Sequence, residues 1–171
     1  IITNITKISD YIRKLRNHGL KTRDKADYFG YNSRLDNIQA VILNFRLKTI
    51  NNIIKKRRQN ANYYIRNLDK RYVFHPPEKN TEFNTYHLFV VQVSNRQELQ
   101  KYLYKKAITT FVHYPIPIHK QKALKNLGIK SSLLPVTELQ SKQILSLPIH
   151  HNLKKKQLDY VIENVNNFYS K

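Results

Sequence analysis

The chain has 171 residues, 31 Lys and Arg against 11 Asp and Glu, a formal net charge of +20, and no Cys, Met or Trp. Without Cys there is no disulfide and no thiolate chemistry, which suits a reducing cytosol. No window approaches about 18 uncharged apolar residues, so a membrane-spanning helix is not expected. The length suits one sizeable core. The start, Ile1 to Asp10, lacks both an initiator Met and the charged-then-apolar order of a signal peptide, and the chain reads as the downstream part of something longer.

In chain order, Ile1 to Asn4 reads as the tail of a strand. Ile5, Ile8, Tyr11, Ile12 and Leu15 recur at helical spacing, with Gly19 as the stop. Residues 20–31 form a polar loop with Gly30. From Arg34 to about Asp69, Leu35, Ile38, Val41, Ile42, Phe45, Ile50, Ile53 and Ile54 keep near-helical spacing, in one long helix or two with a break. His75-Pro76-Pro77 ends that region. Residues 86–93 (YHLFVVQV) are a β-rich run, 96–107 a short amphipathic helix, and 108–114 (ITTFVHY) another strand. Short helices are expected around Gln121 to Leu127 and Thr137 to Ile144. A last helix, 154–171, buries Leu158, Val161, Ile162, Val165 and Phe168 on one stripe. Strand, helix and strand with flanking helices make an α+β domain, with residues 86–91 and 109–114 expected in one sheet.

The charge attracts polyanions in general. Its local runs, Lys55-Lys56-Arg57-Arg58 and Lys154-Lys155-Lys156, lie in helical segments, where such runs are most often solvated faces. No aromatic RNA-binding motif, GXXG loop or zinc spacing accompanies them, so a dedicated nucleic-acid module is disfavoured.

The stretch FVHYPIPIHKQ, residues 111–121, carries the most chemistry. Pro115 and Pro117 fix φ and remove two backbone donors, which ends a strand and holds the next residues extended. The result is a stiff arm bearing His113, Tyr114 and His119. Neighbours on an extended chain alternate, so His113 is expected to face away from Tyr114. No carboxylate lies within the stretch, so no metal ligand is assigned. An organic ligand and a plain strand-to-helix connection both remain open on these residues alone. His87 is expected to finish a strand, and His150 and His151 to be a loop feature.

The order RNHGL, GYNSRLDNIQAVIL, YHLFVV, VHYPIPIHKQ and LSLPIHHNL resembles the C-terminal half of the DegT/DnrJ/StrS family of pyridoxal-phosphate-dependent sugar aminotransferases. The resemblance runs from Ile1 to Phe168. It implies the small C-terminal domain of a fold-type-I enzyme, with residues 1–70 as the end of the large domain and connecting helices and 71–171 as the small α+β domain. It further implies a cytoplasmic homodimer that moves an amino group, usually from glutamate, to a nucleotide-linked keto-sugar for sugar and cell-envelope polysaccharide biosynthesis. The cofactor-bearing lysine would lie upstream, so this chain alone is expected to be inactive and to hold no cofactor by itself. A non-catalytic remnant of such an enzyme is the alternative.

By the same resemblance, Asn32 reaches the cofactor phosphate of the other subunit, and Arg34 adds charge to that phosphate or to the substrate. From the residues alone, Asn32 reads first as a helix N-cap, and the resemblance reverses that order. Tyr114 and His119 match positions lining the pocket for the amino donor and the sugar. No catalytic residue and no metal ligand is assigned.

Overall fold

The computed structural model describes residues 1–128 and 133–170, which fall into two compact units, Ile1–Thr49 and Ile50–Lys171. In the first, α1 (Thr6–Leu15) is followed by a turn in which Gly19 takes φ +73°, and then by a small antiparallel hairpin, β1 (Leu20–Thr22) on β2 (Lys25–Ala26). The chain then returns along the end of α1. The Tyr31 amide donates to the Leu15 carbonyl at 2.7 Å, the His18 amide donates to the Tyr31 carbonyl at 2.9 Å, and Asn17 bridges Asn32. This close return requires glycine at two positions. A Cβ on Gly30 would stand 2.2 Å from the Gly19 nitrogen, and one on Gly19 would stand 1.8 Å from the Tyr28 carbonyl oxygen. The unit closes with α2 (Asn37–Leu47). Ile1 to Asn4, expected as the end of a strand, pairs with no other described segment.

The second unit opens with α3 (Ile50–Asn67), so the long apolar repeat is two helices broken at Lys48 and Thr49. A three-stranded antiparallel sheet runs in the order β3 (Val73–Phe74), β4 (Phe89–Val93), β5 (Ile144–Leu147). Its registers pair Val73 with Val93 and Phe89 with Leu147. Phe89, Val91 and Val93 are buried at alternate positions, as the period of a strand requires. They meet Leu99 and Leu103 of α4 (Arg96–Lys105) and Leu158, Val161, Ile162 and Val165 of α7 (Lys155–Tyr169). Ala61 and Tyr64 of α3 lie in the same core, with Tyr64 against Phe89 at 5.1 Å between ring centres. By packing, α3 therefore lies in the compact unit Ile50–Lys171. Two short helices, α5 (Lys122–Asn126) and α6 (Pro135–Gln143), complete the unit.

Several local expectations are corrected. β4 begins at Phe89, since Tyr86 adopts a positive φ of 48° that breaks extended backbone. In residues 108–114 the described pairing is a single bridge, with Phe111 and Ser146 exchanging both backbone bonds, so this segment meets the sheet at β5 and not beside β4. Residues 144–147 form β5, where the sequence reading ended a helix. Phe168 is half-buried beside the core, and Lys171, the last residue of the expected helix, lies outside the described residues.

Candidate functional site

In the first unit, Asn32 and Arg34 sit on the returning segment. The Asn32 Oδ1 accepts from Arg34 Nε at 3.1 Å, so guanidinium and amide form one polar edge. Asp36, not Asn32, stands at the N-cap of α2, which removes the capping reading of Asn32. The positive charge beside Asn32 is therefore that of Arg34 rather than a helix terminus. Arg34 also borders a cleft of about 580 Å³ lined by Ser9, Arg13, Arg16 and Ser33. Arg16 Nε donates to the Ser33 carbonyl at 3.0 Å, which ties α1 to the segment bearing Arg34. Among the described residues none of Arg13, Arg16 and Arg34 pairs with a carboxylate. Guanidinium groups gathered without a counter-charge suit a phosphate-bearing ligand. Arg13 and Arg16 were missed in the sequence; their i,i+3 spacing, which puts both on one face of α1, was the available signal.

In the second unit, the Pro-Ile-Pro arm runs into a 3₁₀ turn at Ile118–Lys120. Tyr114 is 74% exposed, while the His119 side chain is only 10% exposed. Both line one cleft of about 450 Å³, with Ile116, Pro117, Leu134 and Thr137. Gln121 Nε2 donates to the Ile116 carbonyl at 3.1 Å and braces the arm from behind. His119 Nε2 lies 3.2 Å from Glu138 Oε1 on α6, and Lys120 Nζ donates to the other oxygen of that carboxylate. The Lys120 ammonium, and after it the His119 ring, hold the Glu138 carboxyl below its ordinary range, so it is charged at neutral pH. This cleft can offer a phenol hydroxyl and an imidazole to a polar ligand.

His113 does not face away from Tyr114 as alternation implied: the two rings meet edge-on, 5.6 Å between centres. The His113 Nδ1 is 2.9 Å from Ser146 Oγ, and His113 borders a separate cleft of about 780 Å³ with His87, Phe111 and Tyr160. His87 lends its carbonyl to Arg57, and the His150 carbonyl accepts from Asn60 Nδ2 at 2.8 Å. The basic run of α3 divides by direction. Lys55 and Lys56 are exposed, whereas Arg57 Nη1 donates to the carbonyls of Tyr86, His87 and Ile149. Arg58 grips Glu78 with two bonds at 2.7 and 2.9 Å.

An α+β unit of this topology, with an aromatic-imidazole arm at its edge, is the small C-terminal domain of a pyridoxal-phosphate-dependent aminotransferase of fold type I. The chain belongs to the DegT/DnrJ/EryC1/StrS aminotransferase family, whose sequence profile matches residues 1–166. It is 36% identical to a pleiotropic regulatory protein of Geobacillus stearothermophilus, over 99% of this chain and 46% of that protein. It is 34% identical to the dTDP-3-amino-3,6-dideoxy-alpha-D-galactopyranose transaminase of Aneurinibacillus thermoaerophilus, over 98% of this chain and 46% of that enzyme. Among solved structures it matches DesV of S. venezuelae with a TM-score of 0.88 at 30% identity, covering 99% of this chain and 46% of that one. The chain thus spans about half the length of these relatives.

Proposed function

We propose that this chain is the C-terminal part of a pyridoxal-phosphate-dependent aminotransferase acting on a nucleotide-linked keto-sugar, with glutamate as amino donor, in a cytoplasmic homodimer. The observation that carries the reading is the shared cleft of Tyr114 and His119, the two residues that the family resemblance assigns to the substrate side. A cofactor-bearing lysine supplied by an upstream half accords with the chain's span of 46% of its relatives.

The cofactor, when bound, supplies an electron sink for moving the amino group. Asn32 and Arg34 would hold its phosphate from the neighbouring subunit, and the fit is chemical: the amide and three guanidinium groups lie together without a carboxylate partner among the described residues. Tyr114 would orient the sugar through its hydroxyl. His119 would hold or accept a proton at the ring nitrogen facing the cleft. The apolar wall of Ile116, Pro117, Ile118 and Leu134 would exclude water around them.

The test uses a chain completed by its upstream half, with cofactor dissociation and turnover measured separately. Asn32→Ala should weaken cofactor retention by roughly ten- to a hundredfold, the loss of one charge-assisted phosphate contact. Tyr114→Phe and His119→Ala should lower turnover and leave the cofactor spectrum intact. Release of the cofactor by His119→Ala, with none by Asn32→Ala, would reverse the assignments.

A further inference from the structure

Two consecutive side chains of the arm, His119 and Lys120, end on the same carboxylate, Glu138 in the first turn of α6. That helix also gives Thr137 to the wall of the Tyr114 cleft, and Leu134, just before it, adds to the same wall. One short helix therefore both walls the cleft and holds the arm that faces it. A carboxylate only accepts hydrogen bonds, so the His119 nitrogen beside it, Nε2, carries the proton. In the neutral ring Nδ1 then keeps the lone pair, and among the described residues Glu138 is the only hydrogen-bond partner of this imidazole.

We propose that Glu138 is a positioning residue: it holds the His119 imidazole by Nε2, so that a ligand in the Tyr114 cleft meets an accepting Nδ1. The inference rests on reading Tyr114 and His119 as a substrate wall, and it narrows what that wall recognises. A neutral Nδ1 accepts from a hydroxyl or an ammonium, the chemistry of a sugar hydroxyl or an amino group, and gives nothing to a phosphate oxygen, which has no proton to donate. The Lys120 ammonium keeps Glu138 ionised and occupies its second oxygen, so the carboxylate is itself fixed. Supporting groups of this kind, behind the residue that touches the ligand, set its rotamer and tautomer.

The experiment is NMR on the isotopically labelled chain. In the parent protein the His119 side chain should show three-bond couplings of a single χ1 rotamer and, when neutral, a proton on Nε2. Glu138→Ala should average those couplings. Glu138→Gln, which keeps an oxygen acceptor, should restore them. His113, bound to Ser146, should be unchanged in both variants. A single parent-like rotamer persisting in Glu138→Ala, or a neutral ring protonated on Nδ1, would overturn the proposal. Should Glu138→Ala not fold, His119→Ala provides the answer: the Glu138 titration midpoint should rise, and an unmoved midpoint would mean that the pair does not form. These readouts need no turnover. Failure of the substrate reading, seen as full turnover in His119→Ala, is thus distinguishable from failure of the positioning role.

Discussion

Arg57 replaces a solvated charge with a structural one. Its Nη1 donates to the carbonyls of Tyr86 and His87 at 3.0 Å and of Ile149 at 3.2 Å, joining α3 to the two segments that flank the sheet. Arg57→Ala would leave these acceptors, of which those of Tyr86 and Ile149 are part-buried, short of a donor and should cost roughly 2 kcal/mol in denaturant unfolding. Arg57→Lys should recover only part of it, because an ammonium lacks the planar fork. His75 is a second reporter. It stacks on Phe89 at 4.8 Å between ring centres, and burial lowers its pKa from the ordinary 6.5. The folded state therefore prefers the neutral ring, and the unfolded chain binds more protons. This contribution is present above pH 6.5 and is lost as pH falls toward the depressed folded value. His75→Phe keeps the stack and removes the titration. The parent should lose Tm relative to this variant as pH drops from about 7.5 to 5.5. Asp69 and Glu78, held low by Arg71 and Arg58, act only below their ordinary values of 3.8 and 4.5, outside that window. Equal pH profiles for the two proteins would remove His75 from the acid response.

At the scale of elements, the return of residues 28–33 beside α1 depends on Gly19 and Gly30 meeting backbone to backbone. A Cβ on Gly30 would meet three backbone atoms, the Gly19 nitrogen at 2.2 Å and the His18 carbon and Leu15 oxygen at 2.7 Å, none at the end of a flexible side chain. Gly30→Ala should abolish hydrogen-exchange protection at the His18 and Tyr31 amides and displace Asn32 and Arg34. Protection retained there would show that the segment can shift to admit a methyl group. Elements of this kind explain what was legible in the sequence. The helices α1, α4 and α7 show their apolar stripes in the sequence, and the strand β4 its alternating burial, so their existence could be read from residue order. β3 and β5 could not. They are short, and their strand state comes from pairing with β4, a long-range contact that leaves no local period. The arm was legible because Pro115 and Pro117 constrain the chain locally, whereas the alternation expected of His113 and Tyr114 does not hold, since their rings meet edge-on at 5.6 Å outside any strand. Glu138, Arg13 and Arg16 were not, since each acquires its role by meeting a segment distant in sequence.

For the whole molecule, two opposing terms act on self-association. The helix α2 buries no residue and turns Ile38, Val41, Ile42 and Phe45, each at least half exposed, outward at helical spacing. A continuous apolar face of this kind drives association. The net charge of +20 opposes it, because two copies repel over a distance set by salt. Association through α2 should therefore strengthen as salt rises, the reverse of an interface held by ion pairs, since screening removes the repulsion and leaves the apolar term intact. Sedimentation of the chain at about 0.05 M and about 0.5 M salt separates the two cases, the Debye length falling well below a side chain's reach in the second. Dimers or larger species should grow at high salt, accompanied by binding of a hydrophobic dye. Ile38→Ser with Phe45→Ser should suppress both without lowering the stability of the C-terminal unit, whose core these residues do not join. Association that weakens with salt, or that survives the double substitution, would place the self-contact on another face and remove α2 from the proposed homodimer.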